Sequence, residues 1–233
     1  MTFPQLAPNG RAIVTGPTGC GKTSVARVLL RAIGGPFGQP ARNVIMNDPK
    51  HMFSWNDPHP RFSRIAYSVD ELMKHLLENE SAGTTDPVIF RPRDPTNYRA
   101  NDEVARIALS RGHTTLAYDE LSLTVGPSDP RYTAPFWAAA MVTGRGLGVG
   151  VLNLTQRPSG IPKIAKTEAE HRFTFFLRDP DDQKTVDGIF GGGVPWDTLA
   201  DEEFSFVYAD DKTLRSRTPL QPLKLPKSAA AAA

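Results

Sequence analysis

Short apolar runs alternate along the chain with longer segments in which apolar residues recur at helical spacing. After the first run, Val25, Leu29 and Ile33 repeat every four residues, as on the buried face of a helix. This alternation is typical of a mostly parallel sheet flanked by helices, so we expect an α/β fold. The last two runs, joined by residues 210–212, predict a closing β-hairpin. The predicted strands are 12–14, 43–47, 88–90, 114–118, 149–154, 171–177, 204–208 and 213–216.

Polar residues mark where several helices begin. Ser68 is followed three residues later by Glu71, which is the spacing of a capping box. Asp179 precedes a segment with helical spacing and is the N-cap that we expect there. A further helix is predicted from about residue 102 to about residue 110. These signals place helices between the predicted strands.

Residues 16–23 read Gly-Pro-Thr-Gly-Cys-Gly-Lys-Thr, which matches the phosphate-loop pattern G-x-x-x-x-G-K-[ST]. The motif lies between the first predicted strand and the first helix, where backbone N–H groups and a helix N-terminus can surround a phosphate. Lys22 would reach the β and γ phosphates, and Thr23 would bind Mg²⁺. We therefore expect a RecA-like P-loop NTPase core that binds ATP and Mg²⁺. The predicted nucleotide-binding residues are Gly16, Pro17, Thr18, Gly19, Cys20, Gly21, Lys22, Thr23 and Ser24.

Two later strands end in residues with matching chemistry. The strand 114–118 is followed by Asp119 and Glu120, the Walker B arrangement, in which Asp119 would hold Mg²⁺ and Glu120 would deprotonate the attacking water. The strand 149–154 leads into Thr-Gln-Arg-Pro-Ser, and its Gln156 stands at the sheet edge where a nucleotide would lie. Position alone leaves Gln156 open between a γ-phosphate sensor and a strand-end amide.

Composition limits the other possibilities. The 233 residues, 39% hydrophobic and 22% charged, fit one domain, which we expect to span 1–220, before a basic, alanine-rich tail at 221–233 that is either disordered or partly an artificial linker. The single cysteine, Cys20, excludes internal disulfides and cysteine-rich zinc sites, and we interpret it as a small packing residue. The five histidines lack ligand spacing, so Mg²⁺ is the metal indicated.

Charge and hydropathy bear on the partners. The formal net charge of +2 is too small to indicate nucleic-acid binding by itself. Arg91, Arg93 and Arg99 form a local cluster, which is either a contact for a phosphate backbone or solvated surface charge. No apolar run approaches the about 18 residues that span a bilayer, so we expect no membrane insertion.

Four blocks together resemble the FtsK/HerA superfamily of ring-forming, DNA-pumping ATPases. They are the phosphate loop, Met-Asn-Asp-Pro-Lys at 46–50, Asp119 with Glu120, and Gly144-Arg145 leading through a strand into Thr-Gln-Arg-Pro-Ser at 155–159. The last block is the most specific, and the four stand in the family's order. The resemblance implies a homo-oligomeric ring, a hexamer or a pentamer, with ATP between neighbouring subunits.

In that family, an arginine of one subunit stabilises the γ-phosphate bound by the next. Arg145 is the best candidate by resemblance, Arg172 and Arg178 are weaker alternatives, and a surface ion pair is the other role open to Arg145. A rigid cation that arrives only on assembly suits the charge that spreads over a transferring phosphoryl group. The resemblance therefore assigns catalysis to Glu120, Lys22, Gln156 and Arg145.

At this length we expect none of the extra domains of cellular FtsK or HerA, and the chain most resembles the genome-packaging ATPases of tailless icosahedral viruses with an internal membrane. This implies an ATP-driven motor that packages double-stranded DNA into a preformed capsid. Its partners would be DNA and capsid or portal-vertex proteins, in the host cytoplasm or at the packaging vertex of the virion. Sequence-independent contacts to DNA phosphates would come from Arg91, Arg93, Arg99, Arg131 and Tyr132. Tyr132 equally fits a packing role.

Other functions remain open at this point. A plasmid or conjugative DNA pump, or a HerA-like helicase, would use the same motor. A nucleotide-gated assembly or secretion factor of filamentous phage would also carry a phosphate loop. A small-molecule kinase fits the loop and the length, but it does not account for Glu120 together with the Thr-Gln-Arg-Pro block.

Overall fold

The polypeptide path is given by a computed structural model that describes residues 3–4, 6–33, 43–51, 53, 64–126, 134–216 and 219–225. The strands in this part of the chain are β1 (Arg11–Thr15), β2 (Asn43–Asn47), β3 (Arg64–Ala66), β4 (Val88–Phe90), β5 (Thr114–Tyr118), β6 (Gly150–Thr155), β7 (His171–Phe175), β8 (Ser205–Asp210) and β9 (Pro222–Lys224). The helices are α1 (Lys22–Ile33), α2 (Val69–Ala82), α3 (Tyr98–Arg111), α4 (Leu121–Thr124), α5 (Pro135–Thr143), α6 (Lys163–Thr167), α7 (Pro180–Phe190), α8 (Trp196–Asp201) and α9 (Asp211–Ser216).

All nine strands join one sheet in the order β3-β4-β2-β5-β6-β1-β7-β8-β9. The strands from β3 to β7 in this order run parallel, and β8 and β9 are each antiparallel to the strand before them. The predicted α/β fold with a mostly parallel sheet is therefore confirmed. Because β6 lies between β1 and β5, the carboxyl ends of these three strands meet at one edge of the sheet.

Alternate residues of the central strands face opposite sides of the sheet and bury both. Ile13 belongs to an apolar cluster with residues of α2, α3 and α5, whereas its neighbour Val14 belongs to another with residues of α1. A third cluster joins Val186 of α7 and Leu199 of α8 to Val207 of β8. Coverage of both faces explains why the central strands are apolar along nearly their whole length.

Local capping signals in the sequence correspond to the helix starts. The hydroxyl of Ser68 accepts the N–H of Glu71 at 3.2 Å, and the carboxylate of Glu71 accepts the N–H of Tyr67 at 2.7 Å. The side chain of Asp179 accepts the N–H groups of the two residues that follow Pro180. Both predicted N-caps are confirmed. In the part of the chain described, no helix combines the length and apolar character that crossing a bilayer requires.

Several elements differ from the prediction, among them the short helices α4, α6 and α8, which were not predicted. The helix expected from residue 102 begins at Tyr98, because the side chain of Asn97 accepts the N–H of Ala100 at 3.1 Å and caps it earlier. The short strand β3 was not predicted. Residues 213–216, predicted as a strand, lie in α9, and the second strand of the C-terminal antiparallel pair is β9.

The start of α9 has a local cause. One carboxylate oxygen of Asp210 accepts both the N–H and the hydroxyl of Thr213, each at 2.7 Å. This bonding turns the chain into a helix where the alternation of side chains indicated a strand. Residues 222–224, which fall in the segment predicted as a tail, pair with β8 instead.

Candidate nucleotide-binding site

The phosphate loop connects β1 to α1 at the carboxyl edge of the sheet. The ammonium group of Lys22 lies inside the loop and donates to the carbonyl oxygens of Gly16 at 2.8 Å and Pro17 at 2.7 Å. Burial lowers the pKa of Lys22, and the acidic groups nearby, including Glu120 and Asp119, oppose that shift. The cation is therefore held where a phosphate of a bound nucleotide would lie.

Two glycines of the loop are there for different reasons. Gly19 has a φ of +79°, a left-handed conformation that glycine adopts without steric cost. A side chain at Gly16 would place its Cβ 2.9 Å from the Cβ of Phe175 in β7 and 2.6 Å from the sulfur of Cys20. The loop thus packs closely against β7. Burial raises the pKa of the Cys20 thiol, which suits a packing residue better than a nucleophile.

Asp119 and Glu120 follow β5 at the same edge, and both are buried. The N–H of Asp119 donates to the carbonyl of Asn47 at 2.9 Å, which fixes the end of β5 against β2. Burial raises the pKa of Asp119, and the nearby cations Lys50 and Lys22 oppose this effect. Glu120 has a left-handed backbone with a φ of +64°, which is uncommon for a residue other than glycine and is often found at functional sites.

The carboxylate of Glu120 is held by donors from three parts of the chain. Its Oε2 accepts from the ammonium of Lys50 at 2.9 Å. Its Oε1 accepts from the hydroxyls of Ser122 at 2.9 Å and Thr155 at 3.2 Å and from the N–H of Gln156 at 3.3 Å. Burial acts to raise the pKa of Glu120, but the hydrogen bond and charge of Lys50 and the hydrogen bonds from Gln156 and Ser122 together lower it. An ionised carboxylate in this position can accept a proton from water.

Gln156 links the phosphate loop to Glu120. Its side-chain oxygen accepts the hydroxyl of Thr18 in the phosphate loop at 2.9 Å, while its N–H reaches Glu120. The structure therefore brings together the phosphate loop, the residue predicted as general base and the residue predicted as sensor. The cause is the position of β6 between β1 and β5.

The segment that follows Gln156 is anchored by a buried carboxylate. Asp182, 1% exposed, accepts the N–H and the hydroxyl of Ser159 at 3.0 and 2.6 Å and pairs with Nε of Arg157 at 2.9 Å. Arg157 also donates to Asp179 at 3.1 Å. These bonds fasten the loop carrying Gln156 to the start of α7. Sequence reasoning saw the first turn of α7 only as a helix start and missed this role of Asp182.

Lys50 is a second residue of the site that sequence reasoning did not assign. Lys50 lies two residues after Asp48. The buried carboxylate of Asp48 accepts the N–H of Phe53 and Nε of Arg91, each at 3.0 Å. The resemblance of residues 46–50 to one family block was the available signal, but it assigned no partner to the lysine. The contact with Glu120 depends on β2 lying next to β5.

The predicted DNA contacts differ in availability. The side chain of Arg91 is 16% exposed and forms an ion pair with Asp48, so it stabilises a loop and is poorly placed to contact DNA. Arg93 and Arg99 are exposed. Arg131 and Tyr132 lie outside the described residues.

The three candidate arginines lie at different positions along the strands. Arg145 lies in a 3₁₀ turn before β6, is 59% exposed and pairs with Glu170. It stands at the amino end of β6, and the six residues of that strand put it about 20 Å from Gln156. Arg172 is buried in β7 and pairs with Asp211 at 2.7 Å, whereas Arg178 is exposed just after β7. Arg145 therefore cannot reach the nucleotide site of its own chain.

The chemistry of the site fits Mg²⁺ bound together with a nucleotide. Asp119 supplies a carboxylate and Thr23 a hydroxyl, and Mg²⁺ in such sites typically takes one or two carboxylates with phosphate oxygens and water. Among the described residues, no group of three or more His, Cys, Asp or Glu side chains is arranged to hold a metal. A metal here would depend on the phosphates for the rest of its ligands.

No family model matches the sequence, and no curated protein matches it. Solved structures do resemble the fold. The genome packaging NTPase B204 of Sulfolobus turreted icosahedral virus 2, in complex with sulfate, has a TM-score of 0.66 and 16% identity over 95% of this chain and 98% of that one. B204 has also been solved with ATPγS, AMPPCP and AMP.

Two further structures share the fold. The pCW3 conjugation coupling protein TcpA gives a TM-score of 0.56 and 14% identity over 93% of this chain but 60% of that one. The N-terminal domain of zonular occludens toxin from Neisseria meningitidis gives 0.52 and 15% over 95% and 97%. These likenesses, at 14–16% identity, show the fold, so the mostly parallel α/β fold that the sequence resemblance implied is confirmed.

Proposed function

We propose that this chain is an ATPase motor that moves double-stranded DNA and packages a viral genome into a preformed capsid. The observation that carries the proposal is the buried Glu120, which lies beside the phosphate loop and is joined to it through Gln156. A small-molecule kinase transfers the phosphoryl group to its substrate and has no need of a general base aimed at water. A fixed, ionised carboxylate at this point favours hydrolysis.

The residues divide the chemistry among themselves. Lys22 would exchange the loop carbonyls for the β and γ phosphates, and backbone N–H groups of the loop would hold the phosphate oxygens. Thr23 and Asp119 would hold Mg²⁺, which neutralises phosphate charge when bound. Glu120 would take the proton of the attacking water. The side-chain amide of Gln156 would point toward the γ-phosphate and act as its sensor.

Similarity of fold supports the choice of nucleotide and of task. B204, with which this chain aligns over nearly the whole length of both, has been solved with ATPγS, AMPPCP and AMP and is a genome packaging NTPase. We infer the same class of ligand and the same kind of work for this chain, in the host cytoplasm or at the packaging vertex.

The position of Arg145 supports a ring. Because this exposed arginine lies at the opposite ends of the strands from its own phosphate loop, any role at a γ-phosphate would be at the nucleotide of a neighbouring copy. Copies related by rotation would place each Arg145 toward the next site, and such head-to-tail contacts close into rings. Arg93 and Arg99 would then contact DNA phosphates without reading sequence.

A conjugative DNA pump is the second candidate, and the similarity to TcpA favours it. This chain spans 60% of TcpA but 98% of B204, and the TM-score with B204 is higher. The packaging role therefore has the better support.

The test is ATP hydrolysis measured over a series of protein concentrations, with and without double-stranded DNA. We expect turnover to rise cooperatively with concentration, to increase with DNA and to vanish in Glu120→Gln. The matched control is Glu103→Gln, which changes a half-buried carboxylate on α3 and should leave turnover unchanged. Turnover that is independent of both concentration and DNA would contradict the motor and leave a monomeric nucleotide enzyme.

A further inference from the structure

We propose that Lys50 is a positioning residue for Glu120. It holds the carboxylate oxygen Oε2 so that the carboxylate is directed at the attacking water. The proposal rests on the ATP hydrolysis proposed above and assigns a role to a residue of the 46–50 block. Lys50 would act through Glu120, and we assign it no contact with the nucleotide.

The first argument is the contact itself. Lys50 Nζ lies 2.9 Å from Oε2 of Glu120, and the two side chains are 28% and 6% exposed. Burying a carboxylate to this extent is costly unless the group is paired with a cation and hydrogen-bonded. Lys50 is the charged partner that the described structure provides at that distance.

The second argument is the division of donors between the two oxygens. Oε1 accepts from Ser122, Thr155 and the N–H of Gln156, which fills its capacity. Oε2 accepts from Lys50 and keeps a lone pair. Oε2 is therefore the oxygen that can accept a proton from water, and Lys50 sets the direction in which its free lone pair points.

The third argument is that Lys50 is itself delivered by a fixed turn. The carboxylate of Asp48 is completely buried and binds the N–H of Phe53 and Nε of Arg91. The carbonyl of Asp48 accepts the N–H of His51 at 3.2 Å, which closes the turn around Lys50. Anchoring of this kind is expected of a side chain that must hold another in place.

The neighbouring cation has a different task. Lys22 donates to the carbonyls of the phosphate loop and is placed for phosphates. Lys50 follows β2, which lies beside β5, and donates to the carboxylate of Glu120. The two lysines of the site thus divide substrate binding from positioning of the base.

The experiment compares Lys50→Ala, Lys50→Met and Lys50→Arg with the wild type in steady-state ATP hydrolysis. Binding of a fluorescent ATPγS analogue and thermal unfolding are measured in parallel. Lys74→Ala is the control, because it removes a lysine that is 72% exposed on α2. We expect kcat to fall by about tenfold or more in Lys50→Ala and Lys50→Met, with KM and the Kd of the analogue nearly unchanged. Lys50→Arg, which keeps the charge, should recover much of the loss.

Other results would overturn the assignment. A normal kcat in Lys50→Met would show that Glu120 does not need the lysine. A raised KM and Kd with an unchanged kcat would make Lys50 a nucleotide-binding residue instead. If the wild type shows no turnover that depends on Glu120, the proposed ATPase function fails, and the role of Lys50 fails with it. Lys50→Met keeps the length of the side chain and replaces Lys50→Ala if that variant does not fold.

Discussion

The hydroxyl of Thr18 in the phosphate loop donates to the side-chain oxygen of Gln156 at the end of β6, 2.9 Å away. The same residue reaches Glu120 through its N–H. Gln156 alone therefore connects the phosphate loop to Glu120, the carboxylate proposed to activate water. This relationship supports the proposed sensor role of Gln156 over that of an amide that merely ends a strand.

Gln156→Ala should lower kcat for ATP hydrolysis by about tenfold or more, because the γ-phosphate loses its sensor while the loop still binds it. The affinity for an ATP analogue should change little. Thr18→Val, which removes only the donor to Gln156, should have a smaller effect on kcat. A Gln156→Ala variant with normal turnover would return Gln156 to the role of a strand-end amide.

Arg145→Ala should abolish turnover and leave nucleotide binding nearly intact, since this residue lies far from the loop of its own chain. Mixing Arg145→Ala with Glu120→Gln should restore activity, because about a quarter of random interfaces would pair an intact base with an intact arginine. Hydrolysis by the mixture measures this directly. Arg106→Ala, at an exposed arginine on α3, is the matched control. No recovery in the mixture would contradict action between subunits.

Asp182→Ala should destabilise the fold by about 1–3 kcal/mol, because the N–H and hydroxyl of Ser159 and the guanidinium of Arg157 lose their buried acceptor. Turnover should fall as well, since the same loop carries Gln156. Urea unfolding gives the first quantity and a hydrolysis assay the second. Asp181→Ala, at the exposed neighbour in the same helical turn, should have little effect on either.

The stability of the fold should fall as the pH drops below about 6.5, in part through His171. Burial lowers the pKa of His171, whose Nδ1 lies 2.8 Å from the hydroxyl of Tyr208. Because the unfolded chain binds the proton more readily, this contribution is complete above the unfolded pKa and is lost as the pH falls toward the folded one. Urea unfolding at pH 7.5 and 5.5 should show a smaller difference in His171→Gln than in the wild type. An equal difference in both would exclude His171 as a source.

Patterns confined to a few neighbouring residues could be predicted from the sequence. The phosphate loop, the buried strand before Asp119 and the Ser68 and Asp179 caps each depend on spacing within one or two turns of chain. Where a local signal competed with another, the prediction was wrong. At residues 213–216, the hydrogen bonds from Thr213 to Asp210 favour a helix over the strand that the alternation indicated.

The sequence by itself determined most of the elements and the chemistry of the residues at the strand ends. Only the tertiary structure decided which of those residues meet, because the lateral order of strands in a parallel sheet does not follow chain order. It inserts β6 between β1 and β5, which brings Gln156 to Thr18 and Glu120, and sets β2 beside β5, which gives Glu120 its lysine. The same packing pairs Arg91 with Asp48. It also puts Arg145 at the amino end of β6, opposite the end that carries the nucleotide site. These contacts join residues tens of positions apart, and the spacing of apolar and polar residues along the chain carries no record of them.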